Sequence, residues 1–180
     1  MSQELLAELS PLIDEVSPAG LGPGPRADAL SSTVVNQRVE AAFTTHGRPR
    51  QAELIRSLLL LWHDHLDASH RISQDEHSSD GSFVHGIMHR REPDYSNAKY
   101  WWRSTGDNAC FPLIAANLQS VTTINEQLRA RLSPGGTWDP YAFTDAVAAG
   151  IRQPPESAVH SELVAIQKLE TETLLAYLLD

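Results

Sequence analysis

The stretch RQAELIRSLLLLWHDHLDASHRIS, residues 50–73, carries the strongest helical pattern of the chain and decides the fold class. Its apolar side chains recur at intervals of three and four residues, which is the spacing of one face of an α-helix. Two adjacent stripes on that face are formed by Leu54, Leu58, Leu61 and His65, and by Ile55, Leu59, Trp62 and Leu66. The pattern predicts a single long helix over residues 50–73.

The rest of the chain has the same helical spacing, and no segment alternates with the period of two that a half-buried strand requires. Asp139 followed by Pro140 is typical of a helix start. The sequence therefore predicts an all-α fold, a compact single-domain bundle of about seven or eight helices over residues 1–180, with a Pro/Gly-rich linker at 18–26. The other predicted helices cover residues 2–16, 27–45, 82–92, 96–104, 112–132, 140–151 and 157–179.

The composition excludes several classes of partner. The chain has 180 residues and a formal net charge of −9. An acidic chain argues against general nucleic-acid binding and against an anionic membrane surface, because both require a basic face. The longest apolar run, residues 58–62, is too short to span a bilayer, and no secretory signal is visible at the start. Since the only cysteine, Cys110, cannot form an internal disulfide, we expect a cytoplasmic protein.

Two sets of polar side chains recur at helical offsets, which place the members of each set on one face of a helix. The second of the two helices is expected to begin at Ser82, whose hydroxyl suits an N-cap. The first set lies on the predicted helix 50–73 and continues just past it, and comprises His63, Asp67, His70 and Gln74. The second set follows Ser82 and comprises His85, His89 and Glu92. We expect the two faces to meet across a polar cleft.

Imidazoles four residues apart on a helix can bind one divalent metal ion, and a carboxylate can complete the set. The pentapeptide HGIMH, residues 85–89, has the histidine spacing of a zinc-protease helix. It has Gly86 where that motif has its general-base glutamate, so the protease class is excluded. The predicted catalytic and metal-ligating residues are His70, His85, His89 and Glu92, with Asp67 as the next choice after His70.

The segment after Ser82 is also the most basic part of an acidic protein, since it contains Arg90, Arg91, Lys99 and Arg103. Guanidinium groups and the amides of a helix start suit a carboxylate or phosphate, which favours a pocket for a small anionic molecule. His85 and His89 would then act as general acid and base. Arg91 is expected to face solvent, and the alternative for both Arg90 and Arg91 is pairing with Glu92, Asp94 or acids elsewhere on the surface.

Two stretches, LDASHRISQ at 66–74 and GSFVHGIMHRREPDYSNAKYWW at 81–102, resemble a family of uncharacterised bacterial proteins. Its members share S-H-x-I-x-Q followed by H-x-I-M-H-R-R-E-P-D-x-x-N-x-K-Y-W. The resemblance covers residues 58–106 and implies no reaction. After Gly106 the chain lacks the His-Pro of the family pattern. Besides the predicted catalytic set, the resemblance and the basic segment indicate ligand-binding roles for Gln74, Arg90, Asp94, Asn97, Lys99, Tyr100 and Arg103.

Three hypotheses follow from these patterns. The first is a protein that binds a small molecule, in one form an enzyme using histidine acid–base chemistry in a cleft lined by the four predicted catalytic residues. The second is a divalent-metal protein using the same cluster. The third is a structural or interaction protein whose polar network holds the helices together, with residues 157–179 as a homodimer surface. Four aromatic side chains fit either a pocket wall or the core: Tyr95, Tyr100, Trp101 and Trp102.

Overall fold

A computed structural model describes residues 2–180 of the chain. Within that range it contains eleven α-helices, one turn of 3-10 helix and no β-strand, so the predicted all-α class is confirmed. Ten of these α-helices have seven residues or more, which exceeds the predicted seven or eight. In chain order, α1 to α11 span Ser2–Leu9, Pro11–Asp14, Ser32–His46, Ala52–Trp62, Leu66–Ser73, Ser79–Arg91, Tyr95–Thr105, Cys110–Gln119, Glu126–Leu132, Pro140–Gly150 and Ala158–Leu179.

There are more helices than predicted because three predicted helices are each broken in two. The predicted helix 2–16 breaks before Pro11, which cannot donate a backbone hydrogen bond to the preceding turn. The predicted helix 112–132 breaks before Asn125, whose side chain accepts hydrogen bonds from the first backbone N–H groups of α9. The third break divides residues 50–73 into α4 and α5.

The break between α4 and α5 is centred on Asp64. This residue has a φ of +65°, a left-handed conformation that is uncommon for a residue other than glycine. Its buried carboxylate accepts hydrogen bonds from the backbone N–H of Arg26 at 2.8 Å, from Arg26 Nε at 3.0 Å and from Arg91 Nη2 at 2.6 Å. The predicted single helix is therefore wrong, because tertiary ion pairs outweigh the local helical pattern.

The predicted linker, residues 18–26, is an ordered loop that packs on the core. Ala19 and Leu21 are buried. The side-chain amide of Gln167 in α11 donates hydrogen bonds to the carbonyl groups of Ala19 at 2.9 Å and Gly20 at 3.0 Å. The loop is thus tied to the last helix and to the α4–α5 break, and a free linker does not describe it.

The hydrophobic core runs from α1 to α11. Although α11 is the longest helix, neither it nor any other helix in residues 2–180 is long and apolar enough to cross a bilayer. Much of the apolar face of α11, which the sequence predicts as a homodimer surface, packs in the core of its own chain. Homodimer formation through residues 157–179 stays a prediction. The apolar residues of α11 that are buried in the core are Leu163, Ile166, Leu174, Leu175, Leu178 and Leu179.

The helix α6 begins earlier than predicted. It starts at Ser79, and the hydroxyl of Ser78 accepts a hydrogen bond from the backbone N–H of Gly81 at 3.0 Å. Ser82, the predicted cap, is buried inside the helix. The free amides of the helix start consequently lie four residues further from His85 than predicted.

Close packing of α6 against α7 depends on Gly86. A Cβ atom on this residue would lie 2.2 Å from Cζ3 of Trp102, far inside any van der Waals contact. Trp102 is itself buried, and its indole N–H donates a hydrogen bond to Thr144 Oγ1 at 3.0 Å. Gly86 therefore allows the approach of α7 that brings the adjacent aromatic residue, Trp101, over the ring of His85.

We expect the protein to lose stability as the pH falls from about 6.5 to about 4, because His63 is buried as the neutral imidazole. Burial lowers the pKa of His63 from 6.5 to about 4. Between these values the unfolded chain binds a proton that the folded chain does not, so the stabilisation is fully present above pH 6.5 and is lost on acidification. Thermal melting followed by circular dichroism between pH 4 and 7.5 measures the effect.

The experiment compares the wild type with His63→Gln and with the control variant His46→Gln. All three proteins are melted in the presence of a chelator. His63→Gln should make the decline of Tm with falling pH shallower without abolishing it, because burial also lowers the pKa values of His85 and His89. His46→Gln replaces a histidine at the end of α3 and should keep the wild-type slope. Equal slopes for His63→Gln and wild type would show that His63 does not carry the pH dependence.

Candidate functional site

Three of the predicted site residues, His70 from α5 and His85 and His89 from α6, converge in the structure. One ring nitrogen from each lies within 4.8 Å of the others. The ring centroids are 4.8 Å apart for His70 and His85, 5.2 Å for His70 and His89, and 4.8 Å for His85 and His89. We call these three residues the histidine cluster.

Helix geometry explains the arrangement of the rings. His85 and His89 are one turn apart on α6, and their rings are nearly parallel, with an interplanar angle of 20°. The short helix α5 packs against α6 and presents His70 at steep angles of 69° and 72° to these rings. His70 is partly exposed whereas His85 and His89 are buried, so the cluster reaches the surface on the α5 side.

His85 has the least satisfied side chain of the cluster. It is 2% exposed, and neither of its ring nitrogens makes a hydrogen bond within the protein. One flat face of its ring is covered by Trp101, with centroids 3.8 Å apart and an interplanar angle of 17°. Burial, with the neighbouring His89 and His70, lowers the pKa of His85 to about 3, although the backbone at Ser73 opposes the shift. The ring is neutral, and apart from this interaction with the Ser73 backbone its nitrogens are unpaired.

His89 is oriented by Glu92 and Asn97. Its Nδ1 lies 3.1 Å from Glu92 Oε2, so Nδ1–H donates to the carboxylate and Nε2 accepts a hydrogen bond from the side-chain amide of Asn97. The amide nitrogen of Asn97 lies 3.1 Å from Nε2 and 3.4 Å from Nδ1. Burial lowers the pKa of His89, and the charge of Glu92 opposes this shift. Glu92 thus contacts one ring of the cluster and is not part of the converging set of ligand atoms.

The first predicted polar face does not persist in the structure, because the break at Asp64 separates its members. His63 lies before the break, and its Nδ1 accepts a hydrogen bond from the backbone N–H of Leu30 at 3.1 Å. Asp67 and Gln74 are exposed. Among the described residues, His70 is the only one of these four that the structure places in the histidine cluster.

The cations predicted to bind an anionic molecule are largely paired within the protein. Arg90 is fully buried and forms a two-pronged ion pair with Glu170 of α11. Lys99 Nζ lies 2.6 Å from Asp145 Oδ1. Arg91, expected in solvent, is 2% exposed and bound to Asp64, which corrects that prediction.

The remaining predicted ligand-binding residues lie on α7 or at its start. Asp94 caps this helix, because its Oδ1 accepts hydrogen bonds from the backbone N–H of Asn97 at 3.2 Å and from the hydroxyl of Ser96 at 3.0 Å. Tyr100 and Arg103 are exposed, and the ring of Tyr100 lies perpendicular to that of Trp101, with centroids 5.6 Å apart. None of these three side chains belongs to the histidine cluster.

Trp101 packs against the histidine cluster. The sequence left open whether this side chain lies in a pocket wall or in the core. Asn97 and Trp101 are four residues apart on α7, as His85 and His89 are on α6. In the structure the first pair covers the second, Asn97 over His89 and Trp101 over His85. Two pairs of residues with the same four-residue offset on consecutive helices are a sequence pattern that could have indicated this contact between α6 and α7.

Comparison of the chain with protein-family models, curated proteins and solved structures finds no match. The resemblance of residues 58–106 to an uncharacterised bacterial family therefore stays a prediction. The chemistry open to the histidine cluster follows from its own geometry. Three neutral imidazoles at this separation can bind a divalent metal ion through their lone pairs, or they can exchange protons with a bound ligand.

Proposed function

We propose that the protein binds a divalent transition-metal ion of the zinc class through His70, His85 and His89. The observation that carries this proposal is the buried ring of His85, which faces two other imidazoles while neither of its nitrogens has a hydrogen-bond partner. Buried polar groups usually have hydrogen-bond partners, and a bound ion is one physical explanation for a group that has none.

The same observations weigh against the two alternatives. A structural hydrogen-bond network would pair the nitrogens of His85, since its purpose is to satisfy buried groups. A pocket for an anionic molecule needs free cations at the site, whereas Arg90 and Lys99 are engaged with Glu170 and Asp145, and Arg103, which has no ion pair, is not part of the histidine cluster. Binding of a metal ion satisfies the lone pairs and requires no cationic side chain.

The donor atoms indicate the class of metal. Imidazole nitrogens suit zinc, copper, nickel and cobalt, whereas magnesium and calcium prefer oxygen ligands. In a tetrahedral site with metal–nitrogen bonds of about 2.0–2.1 Å, the nitrogens lie about 3.3 Å apart. The nitrogens of the cluster lie within 4.8 Å of one another, so metal binding requires them to approach by up to about 1.5 Å and requires the Asn97 amide to leave Nε2 of His89.

Glu92 supports this site as a positioning residue. Metal-ligating histidines commonly donate their second ring N–H to a carboxylate, which fixes the tautomer and orients the ring. The contact of 3.1 Å between His89 Nδ1 and Glu92 Oε2 has this geometry. This role replaces the predicted role of Glu92 as a direct ligand.

We expect purified protein to bind one equivalent of Zn²⁺ or Co²⁺, and His85→Ala to lose that binding. Isothermal titration of chelator-treated protein measures stoichiometry and affinity, and the Co²⁺ absorption bands report nitrogen coordination. Glu92→Gln should weaken binding by about 10–100-fold, because the second ring nitrogen of His89 loses its anionic partner. His46→Ala, on α3, is the matched control and should bind like the wild type.

Circular dichroism of each variant establishes that loss of binding is not loss of fold. Failure of the wild-type protein to take up either ion, or equal binding by His85→Ala and wild type, would refute the proposal. A preference for Mg²⁺ over Zn²⁺ would also refute it, since the nitrogen donors then could not be the ligands.

A further inference from the structure

We propose that Asn97 sets the affinity of the histidine cluster for its metal ion, because its side-chain amide competes with the ion for the ring of His89. This inference rests on the proposed function and makes metal binding conditional on the movement of one side chain. Three features of the structure carry it: the contact of the amide with the ring, the fixed backbone of Asn97, and the contact of Glu92 with the same ring.

The amide of Asn97 lies against the ring nitrogen that a metal ion needs. Its Nδ2 is 3.1 Å from His89 Nε2 and 3.4 Å from His89 Nδ1. Glu92 already engages Nδ1, so Nε2 is the nitrogen of this ring that can hold an ion. An ion bound there would meet the positive end of the amide dipole at short range. The amide therefore has to turn away before all three histidines hold the ion.

The side chain of Asn97 has to make this movement by itself, because the backbone of α7 is held in place. The backbone N–H of Asn97 donates to the capping carboxylate of Asp94 at 3.2 Å. Further along α7, Trp102 packs against Gly86 and donates its indole N–H to Thr144. Since Asn97 is half-buried, its amide can turn toward solvent by rotation about side-chain bonds. The movement is local and leaves the crossing of α6 and α7 unchanged.

The amide oxygen of Asn97 is a poor candidate for a fourth ligand. Imidazole donors suit metal ions of the zinc class, whereas neutral carbonyl oxygens suit magnesium, calcium and manganese. Three protein ligands are also sufficient for a zinc site that keeps an open position. The amide consequently stabilises the metal-free protein and adds nothing to the metal-bound form.

The two neighbours of His89 therefore act in opposite directions on metal binding. Glu92 orients the ring and makes Nε2 a stronger donor, so its loss weakens binding. Asn97 holds the same ring in its metal-free arrangement, so its loss should strengthen binding. A hydrogen bond of ordinary net strength corresponds to a factor of about 2–10 in an equilibrium constant. Removal of the amide raises the binding-competent fraction of the metal-free protein by this factor, and the gain appears in the rate of association.

The test is zinc binding by the full chain and by Asn97→Ala, measured by competition with a chromophoric chelator and by stopped-flow tryptophan fluorescence. We expect Asn97→Ala to bind Zn²⁺ about 2–10-fold more tightly, through faster association at an unchanged rate of dissociation. Ser104→Ala is the matched control, because this exposed residue lies two turns further along α7 and should keep the wild-type affinity. Glu92→Gln should change the affinity in the opposite direction, so a general loosening of the ring cannot explain both results.

A second measurement uses the wild-type protein and does not depend on the folding of a variant. In the nitrogen–proton NMR spectrum of chelator-treated protein, the side-chain amide signals of Asn97 should shift when one equivalent of Zn²⁺ is added. The amide of Asn117 is the internal control, because it donates to Thr173 between α8 and α11 and should not respond.

Weaker zinc binding by Asn97→Ala, with faster release of the ion, would make Asn97 a ligand and overturn the inference. Equal affinities of this variant and the wild type, or amide signals of Asn97 that do not respond to zinc, would also overturn it. In each of these cases the wild type still binds zinc, and the proposed function stands. Absence of zinc binding by the wild type would overturn both.

Discussion

Glu170→Ala is expected to lower the free energy of unfolding by about 3–5 kcal/mol, because it leaves the charge of Arg90 buried without a partner. Both side chains of this ion pair are 0% exposed. Arg90 Nη1 donates to Glu170 Oε1 at 3.1 Å, and Nη2 donates to the second oxygen. The guanidinium also lies over the ring of Phe143, 4.4 Å from its centroid, so it cannot reach water without disrupting the core.

Urea unfolding followed by circular dichroism measures this change. Glu172→Ala is the matched control on the same helix, because Glu172 forms an exposed pair with Lys168 at 3.2 Å and surface pairs contribute about 0–1 kcal/mol. Replacing both partners, as in Arg90→Met with Glu170→Leu, should recover much of the loss, since no unpaired charge then remains. A loss below about 1 kcal/mol for Glu170→Ala would mean that Arg90 finds another partner.

Asp64→Ala should destabilise the fold by a similar amount, about 3–5 kcal/mol. The carboxylate of Asp64 joins Arg26 in the loop after α2 to Arg91 at the end of α6, and the guanidinium of Arg91 is nearly inaccessible to water. Burial raises the pKa of Asp64, but the hydrogen bonds from Arg26 and Arg91 outweigh this and lower it. Loss of the carboxylate therefore leaves a buried cation and removes the ion pair that ties the loop to the α4–α5 break.

Asp64→Asn separates charge from backbone conformation, because asparagine also tolerates the left-handed φ of this position. We expect it to lose most of the stability that Asp64→Ala loses, as measured by urea unfolding. Asp67→Ala, an exposed change three residues later, should stay within about 1 kcal/mol of the wild type. A nearly wild-type Asp64→Asn would show that the conformation, rather than the ion pairs, fixes the α4–α5 break.

These two ion pairs also show why the sequence predicts the fold class but not its details. The apolar spacing of each segment is local, so the all-α class and the approximate position of most helices can be predicted. The partners of Arg90 and Arg91 are 80 and 27 residues away along the chain, and no local pattern indicates them. For the same reason the break at Asp64, which depends on such a pair, is invisible in the helical pattern of residues 50–73.

The candidate site, like the fold, can be predicted from the sequence only in part. The shared face of His85 and His89 follows from an offset of four residues on one helix, and the structure has it. The contribution of His70 depends on how α5 turns after the break, so its place opposite α6 is a property of the tertiary structure. The basic residues nearby suggested an anionic ligand because their charges are visible in the sequence, whereas the acids that pair with Arg90, Arg91 and Lys99 lie on other elements.

The contact of Gly86 with Trp102 has a consequence for the evolution of this chain. Because the indole ring occupies the space of a side chain at residue 86, the two positions cannot vary independently in descendants that retain the α6–α7 crossing. A homologous chain with alanine or serine at the first position should carry a smaller residue at the second. Lineages that enlarge one without reducing the other would have to shift α7, and with it the indole of Trp101 that shields His85.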